Sequence, residues 1–135
     1  MLIGVGNRWR HDDAAGLEVA SLCGGVLVEG DCVGLVDLMA DSDEVTIVDA
    51  CSSRAAPGTV HAFSAGAAPL PALAWRSSTH AFGVPEALEL ARSLGRLPPR
   101  VTVYAIEGAD FTAGEGLTPA VDRAARALAG RISNG

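Results

Sequence analysis

At 135 residues, 49% of them hydrophobic, the chain has the length of one ordinary domain and can bury about two thirds of the surface its unfolded form exposes. No apolar run approaches the roughly 18 residues needed to cross a bilayer, and the opening MLIGVGN lacks the basic stretch and cleavage site of a secretory signal, so the expectation is a globular protein of the cytoplasm with no membrane partner. A net charge of −6 argues against nucleic acid, which would need a basic patch. Cys23, Cys32 and Cys51 fit neither a disulfide framework nor a paired metal knuckle and read as reduced thiols.

MLIGVG reads as a buried strand and its turn, and HDDAAGLEVASLC as acids before a helix carrying Leu17, Ala20 and Cys23. GVLVEG is a second strand, and VGLVDLMA a short helix with Leu35, Leu38 and Met39 on one face. EVTIVDA, β-branched and apolar up to Asp49, is the clearest strand and fits a central position covered on both faces. APGTVHAF holds a Pro-Gly turn and a fourth strand, followed by an Ala/Pro-rich loop from Ser64 to Leu73. VPEALELARSLG is a helix with Pro85 in its first turn, Leu88 and Ala91 on one face, and Gly95 as terminator. RVTVYAIEG is a fifth strand, and LTPAVDRAARALAGRI a closing helix with Thr118 as N-cap and Pro119 at its first position.

Strands alternating with helices predict an α/β fold, a three-layer α/β/α sandwich around a mostly parallel sheet of about five strands. Binding crevices in such sheets lie beyond the carboxyl ends of the strands, where the winding reverses. In the common order 2-1-3-4-5 the first and third strands are neighbours there, so the loop bearing Asp12 and Asp13 faces Asp49. Asp12 and Asp13 also read as acids at a helix N-terminus. Asp49 ends an apolar strand, where a carboxylate needs donors, a cation or a metal, or else caps a loop. His80, in SSTH before the long helix, is by itself a surface or capping histidine. Together two carboxylates and an imidazole would offer Zn²⁺ or Ni²⁺ a ligand set with open coordination positions.

GVGNRWRHDDAAG resembles the opening signature of the hydrogenase maturation proteases, with Gly-x-Gly-Asn, a variable segment, paired acids and a small-residue helix start. The likeness continues through VEGDCVGLVDLM, VTIVDA, APGTV, SSTH and GLTPAV, and so spans the chain as a single domain over 1–135. It implies an endopeptidase that removes the C-terminal extension of a nickel-loaded hydrogenase large-subunit precursor, with Asp13, Asp49 and His80 as metal-contacting and catalytic residues. The metal would be the nickel brought by the substrate, or zinc. In the same comparison Asn7 is loop architecture, Arg8, Trp9, Arg10 and His11 occupy the variable segment, and Cys32 stands where a threonine is common.

Two other readings belong beside this one. The fold could serve a non-catalytic, metal-sensing maturation chaperone. GVGN could also be the turn of a nucleotide- or flavin-binding module, although the third glycine of GxGxxG is absent and two acids stand where a pyrophosphate would approach. Glu107, at the end of YAIEG, is a weak candidate general base.

Overall fold

The computed structural model describes residues 1–66, 68–71 and 82–134. In chain order these form β1 (Leu2–Gly6), a 3₁₀ turn (His11–Ala14), α1 (Ala15–Cys23), β2 (Val26–Glu29), α2 (Leu35–Met39), β3 (Glu44–Cys51), β4 (Val60–Ser64), α3 (Val84–Ser93), β5 (Arg100–Glu107) and α4 (Pro119–Asn134). One five-stranded sheet runs in the order β2-β1-β3-β5-β4, parallel except for β4, which is antiparallel to β5. The expected three-layer α/β/α sandwich is therefore what the chain forms.

The order of the last two strands differs from 2-1-3-4-5, with β5 lying between β3 and β4. The connection between β3 and β4, residues 52–59, is too short for the crossover of a dozen or more residues that a parallel neighbour requires. β4 therefore runs back antiparallel at the sheet edge. β5 enters the gap parallel to β3, in register from Glu44↔Arg100 to Cys51↔Glu107. The adjacency of β1 and β3, on which the site depends, is retained.

Side-chain alternation divides β3 between two cores. Val45 and Ile47 pack with Leu35, Met39, Val84, Leu88 and Ala91 of α2 and α3. Val48 and Ala50 pack with Val19 of α1 and Val121, Ala125 and Leu128 of α4. Asp49 and Cys51 share the parity of Val45 and Ile47, so they lie on the α2/α3 face. α3 ends as Gly95 suggested: at φ 69° its N–H donates to the Arg92 carbonyl, and the Arg96 N–H reaches back to Ala91 at 2.8 Å.

α1 sits on the sheet through a glycine contact. A Cβ on Gly16 would collide with the carbonyl oxygens of Val48 and Val5, and one on Gly4 would collide with the Gly16 carbonyl. Backbone meets backbone, which brings the start of α1, and the 3₁₀ turn before it, against the carboxyl ends of β1 and β3.

Candidate active site

The loop after β1 is closed by its own hydrogen bonds. The Asn7 N–H donates to the Asp13 carbonyl at 3.2 Å, the Trp9 N–H to Asn7 Oδ1 at 2.9 Å, and the Asp13 N–H to the Arg10 carbonyl at 3.0 Å. The Arg10, His11 and Asp12 amides donate to the carbonyls of Asn7, Gly114 and Asp110. Asn7 thus shapes the loop, as expected. Because these amides are spent internally, they cannot cradle a pyrophosphate, which removes the support for the nucleotide-binding reading. Arg8 donates from Nε to Glu29 Oε1 at 2.8 Å, while Trp9 stands 56% exposed.

Asp12 and Asp13 are both fully buried, yet they do different things. Asp12 Oδ2 accepts from the Ala109 and Asp110 amides at 2.8 and 3.0 Å, and Oδ1 accepts from the Thr118 amide at 2.8 Å. The Thr118 hydroxyl donates to the same carboxylate at 2.8 Å. Asp12 therefore fastens the loop to the segment between β5 and α4. Sequence reasoning gave it only a helix-terminus role, and its partners, about a hundred residues away, leave no local signal.

Asp13 lies beside the end of β3, where Asp49 Oδ1 accepts the Ala50 amide at 2.8 Å. Burial pushes the Asp49 carboxyl well above the ordinary carboxylate range, and the nearby charge of Asp13 raises it further. Cys32, fully buried, is pushed up to about 12 by burial first and then by Asp49, Asp31, Glu86 and Asp13. The topology thus brings Asp13, Asp49 and Cys32 together. His80 lies outside the described residues. As a donor set, two adjacent buried carboxylates that resist joint ionisation suit a divalent cation, which would offset both desolvation and repulsion.

Glu107 is 1% exposed and belongs to another group at the same end of the sheet. Its Oε2 accepts the Ser53 amide at 2.7 Å, while its Oε1 accepts the Ser53 hydroxyl at 2.5 Å and lies 3.2 Å from His61 Nε2. The Cys51 thiol donates to Oε1 at 3.6 Å. Burial pushes the Glu107 carboxyl up, but the bonds from Ser53, His61 and Cys51 outweigh it and hold the group below its ordinary value. A carboxyl held below its ordinary value is a poorer general base, which weakens its candidacy for that role. Burial also pushes the Cys51 thiol up, to about 12, aided by the Glu107 charge.

Among solved structures the architecture is that of known endopeptidases. Hydrogenase maturating endopeptidase HybD from E. coli is 24% identical, with 97% of this chain and 87% of that chain covered and a TM-score of 0.78. A second endopeptidase from Escherichia coli is 22% identical over 97% of this chain and 88% of that chain, with a TM-score of 0.79. The [NiFe] hydrogenase maturation protease HybD from Thermococcus kodakarensis is 19% identical over 98% and 95%, with a TM-score of 0.72. No curated protein sequence matches at a significant level. The family model described as hydrogenase maturation protease matches residues 30–134.

The chain belongs to the hydrogenase maturation protease family, hydrolases that process the C-terminus of a hydrogenase large subunit. The resemblance read from its motifs is thereby borne out. Among the described residues no helix is long and apolar enough to cross a membrane.

Proposed function

We propose that Asp13, Asp49 and His80 engage the nickel of a hydrogenase large-subunit precursor and position its C-terminal extension for hydrolysis at that same site. The observation that carries this reading is Asp49, a fully buried carboxyl at the carboxyl end of a central strand, with proton affinity raised by burial and by Asp13. Such a pair costs the apo fold stability, and a cation would relieve that cost. His80 enters the proposal through the motif resemblance, SSTH ahead of the long helix, and the Asp13–Asp49 geometry supports the other two members.

The nickel belongs to the substrate, and a resident zinc ion is the other occupant these donors suit. Either, when bound, would polarise a scissile carbonyl and acidify a water. One carboxylate of the pair would accept the proton that such a water releases. The Asp12 staple and the Gly4–Gly16 contact hold the paired acids in place before substrate arrives. We also assign the reaction to the cytoplasm, in keeping with three cysteines that are all free thiols.

The test is to mix the protein with nickel-loaded precursor and follow loss of the extension by mass spectrometry. Asp49→Asn and Asp13→Asn should each slow processing at least about a hundredfold, as expected when groups at the reacting centre are removed. Processing by Asp49→Asn at the wild-type rate would overturn the site. Precursor binding by wild type without shortening would favour the chaperone reading instead.

A further inference from the structure

We infer that Cys51, His61 and Glu107 form a second metal site, built for a zinc-class divalent ion and separate from the Asp13–Asp49 pair. The sheet itself assembles it. Cys51 ends β3 in register with Glu107 at the end of β5, and His61 of β4 is in register with Ala105, two residues before Glu107. Register partners share a face of the sheet, and so do residues two apart on one strand. Three adjacent strands therefore deliver a thiol, an imidazole and a carboxylate to one place.

The spacing fits one ion. Their candidate ligand atoms all lie within 4.8 Å of one another. Zinc bond lengths of about 2.3 Å to sulfur and about 2.0 Å to nitrogen and oxygen give tetrahedral edges of about 3.5 Å for S···O and about 3.3 Å for N···O. The observed separations are 3.6 Å from Cys51 Sγ to Glu107 Oε1 and 3.2 Å from His61 Nε2 to Glu107 Oε1. An ion could enter with small side-chain adjustments.

The chemistry selects the class of ion. Sulfur and nitrogen donors disfavour magnesium and calcium, which take all-oxygen shells, and favour a borderline-soft ion. A thiolate and a carboxylate together neutralise a dipositive charge. On binding, the Cys51 S–H bond breaks, the sulfur lone pair forms the bond to the metal, and the proton leaves to solvent. Ser53 supplies the outer support that such sites use, orienting the carboxylate through its amide and hydroxyl. Cys51 and Glu107 are buried, while the His61 side chain is 26% exposed. A fourth position can therefore be reached from the His61 side by water or by a substrate group.

The site is not the one proposed for the precursor's nickel. Asp49 and Cys51 are separated by two residues of extended strand, about 6.6 Å. The donors also differ, oxygen-rich at one and sulfur-bearing at the other. The second reading of the cluster, a hydrogen-bonded network with no ion, makes opposite predictions.

The experiment is a Co²⁺ titration of the metal-free full chain under reducing conditions. One equivalent should produce a near-ultraviolet thiolate-to-cobalt charge-transfer band with the intense visible bands of a four-coordinate ion, and Zn²⁺ should bleach both. Cys51→Ser should abolish the charge-transfer band, and His61→Ala, at a partly exposed edge position, should weaken binding at least tenfold. Cys32→Ser and Asp49→Asn should leave the band in place. The inference is overturned if wild type gives no such band, if the band survives Cys51→Ser, or if it depends on Cys32. Should Cys51→Ser not fold, unchanged Co²⁺ affinity in His61→Ala would overturn it equally. None of these outcomes depends on peptidase activity, so the test stands apart from the proposal for Asp49.

Discussion

Replacing Asp12 by alanine should destabilise the protein more than any change at a neighbouring loop residue. The carboxylate is completely buried and receives three backbone amides, from Ala109, Asp110 and Thr118, and the Thr118 hydroxyl. Hydrogen bonds to a charged acceptor contribute about 1.5–3 kcal/mol each, and a buried donor left without its acceptor costs about 1–3 kcal/mol. Water entering the vacated space and loop relaxation reduce the sum. The net loss should be about 3–5 kcal/mol, a large part of the roughly 5–15 kcal/mol that holds a typical domain folded. For a chain of this size that lowers Tm by about 10–20 °C. Equilibrium urea unfolding followed by circular dichroism measures it directly. Asp12→Asn, which keeps one carbonyl acceptor, should recover part of the loss. A loss below about 1 kcal/mol for Asp12→Ala, with an unchanged denaturant slope, would refute the assignment of Asp12 as a structural staple.

Asp49→Asn should behave oppositely, raising the stability of the metal-free protein at neutral pH by about 0.5–2 kcal/mol while removing processing. Because the folded-state pKa of Asp49 is raised, its favourable contribution is present below the unfolded value of about 3.9 and is lost as pH rises through the folded value. The variant's advantage in Tm should therefore be absent near pH 4 and grow toward neutrality, and a pH-independent difference would count against the burial argument. Glu107 has the reverse sign: its lowered folded pKa contributes stability above the unfolded value of about 4.3, which is lost as pH falls through the folded value. Glu107→Gln should accordingly flatten the acid limb of the stability profile, and an unaltered limb would contradict the hydrogen-bond assignment. Gly16→Ala should cost at least about 2 kcal/mol by prying α1 from Val5 and Val48, and thermal unfolding at wild-type Tm would show that the contact yields easily.

Local patterns made most of the fold legible. The apolar run of β3 marked it as central, and Gly95 with Pro85 marked both ends of α3, because the physics of burial and capping acts over a few residues. The pairing of Asp13 with Asp49 was legible for another reason, since adjacent parallel strands of a doubly wound sheet must present their carboxyl ends together. The exchange of β4 and β5 went unread, although the short 52–59 connection between β3 and β4 carried the signal. The anchoring role of Asp12 was not legible, because Asp12 and Asp13 are adjacent and equally buried and the contacts that mark Asp12 are with residues 109–118. The Cys51, His61 and Glu107 cluster was equally hidden. Its members stand on three strands whose register no local spacing encodes, and the edge position of His61 depends on the strand exchange itself.

The self-closed loop over residues 7–13 has a kinetic consequence. The amides of Asn7, Trp9, Arg10, His11, Asp12 and Asp13 are already satisfied, and the loop is anchored through the Asp12 carboxylate and abutted by the glycine contact of α1. A precursor docking there would meet a surface that has already given up its backbone freedom. Association should then carry little ordering entropy from this side, and slow steps in recognition should arise from the incoming peptide, whose own tail must find the one geometry that a rigid receptor accepts.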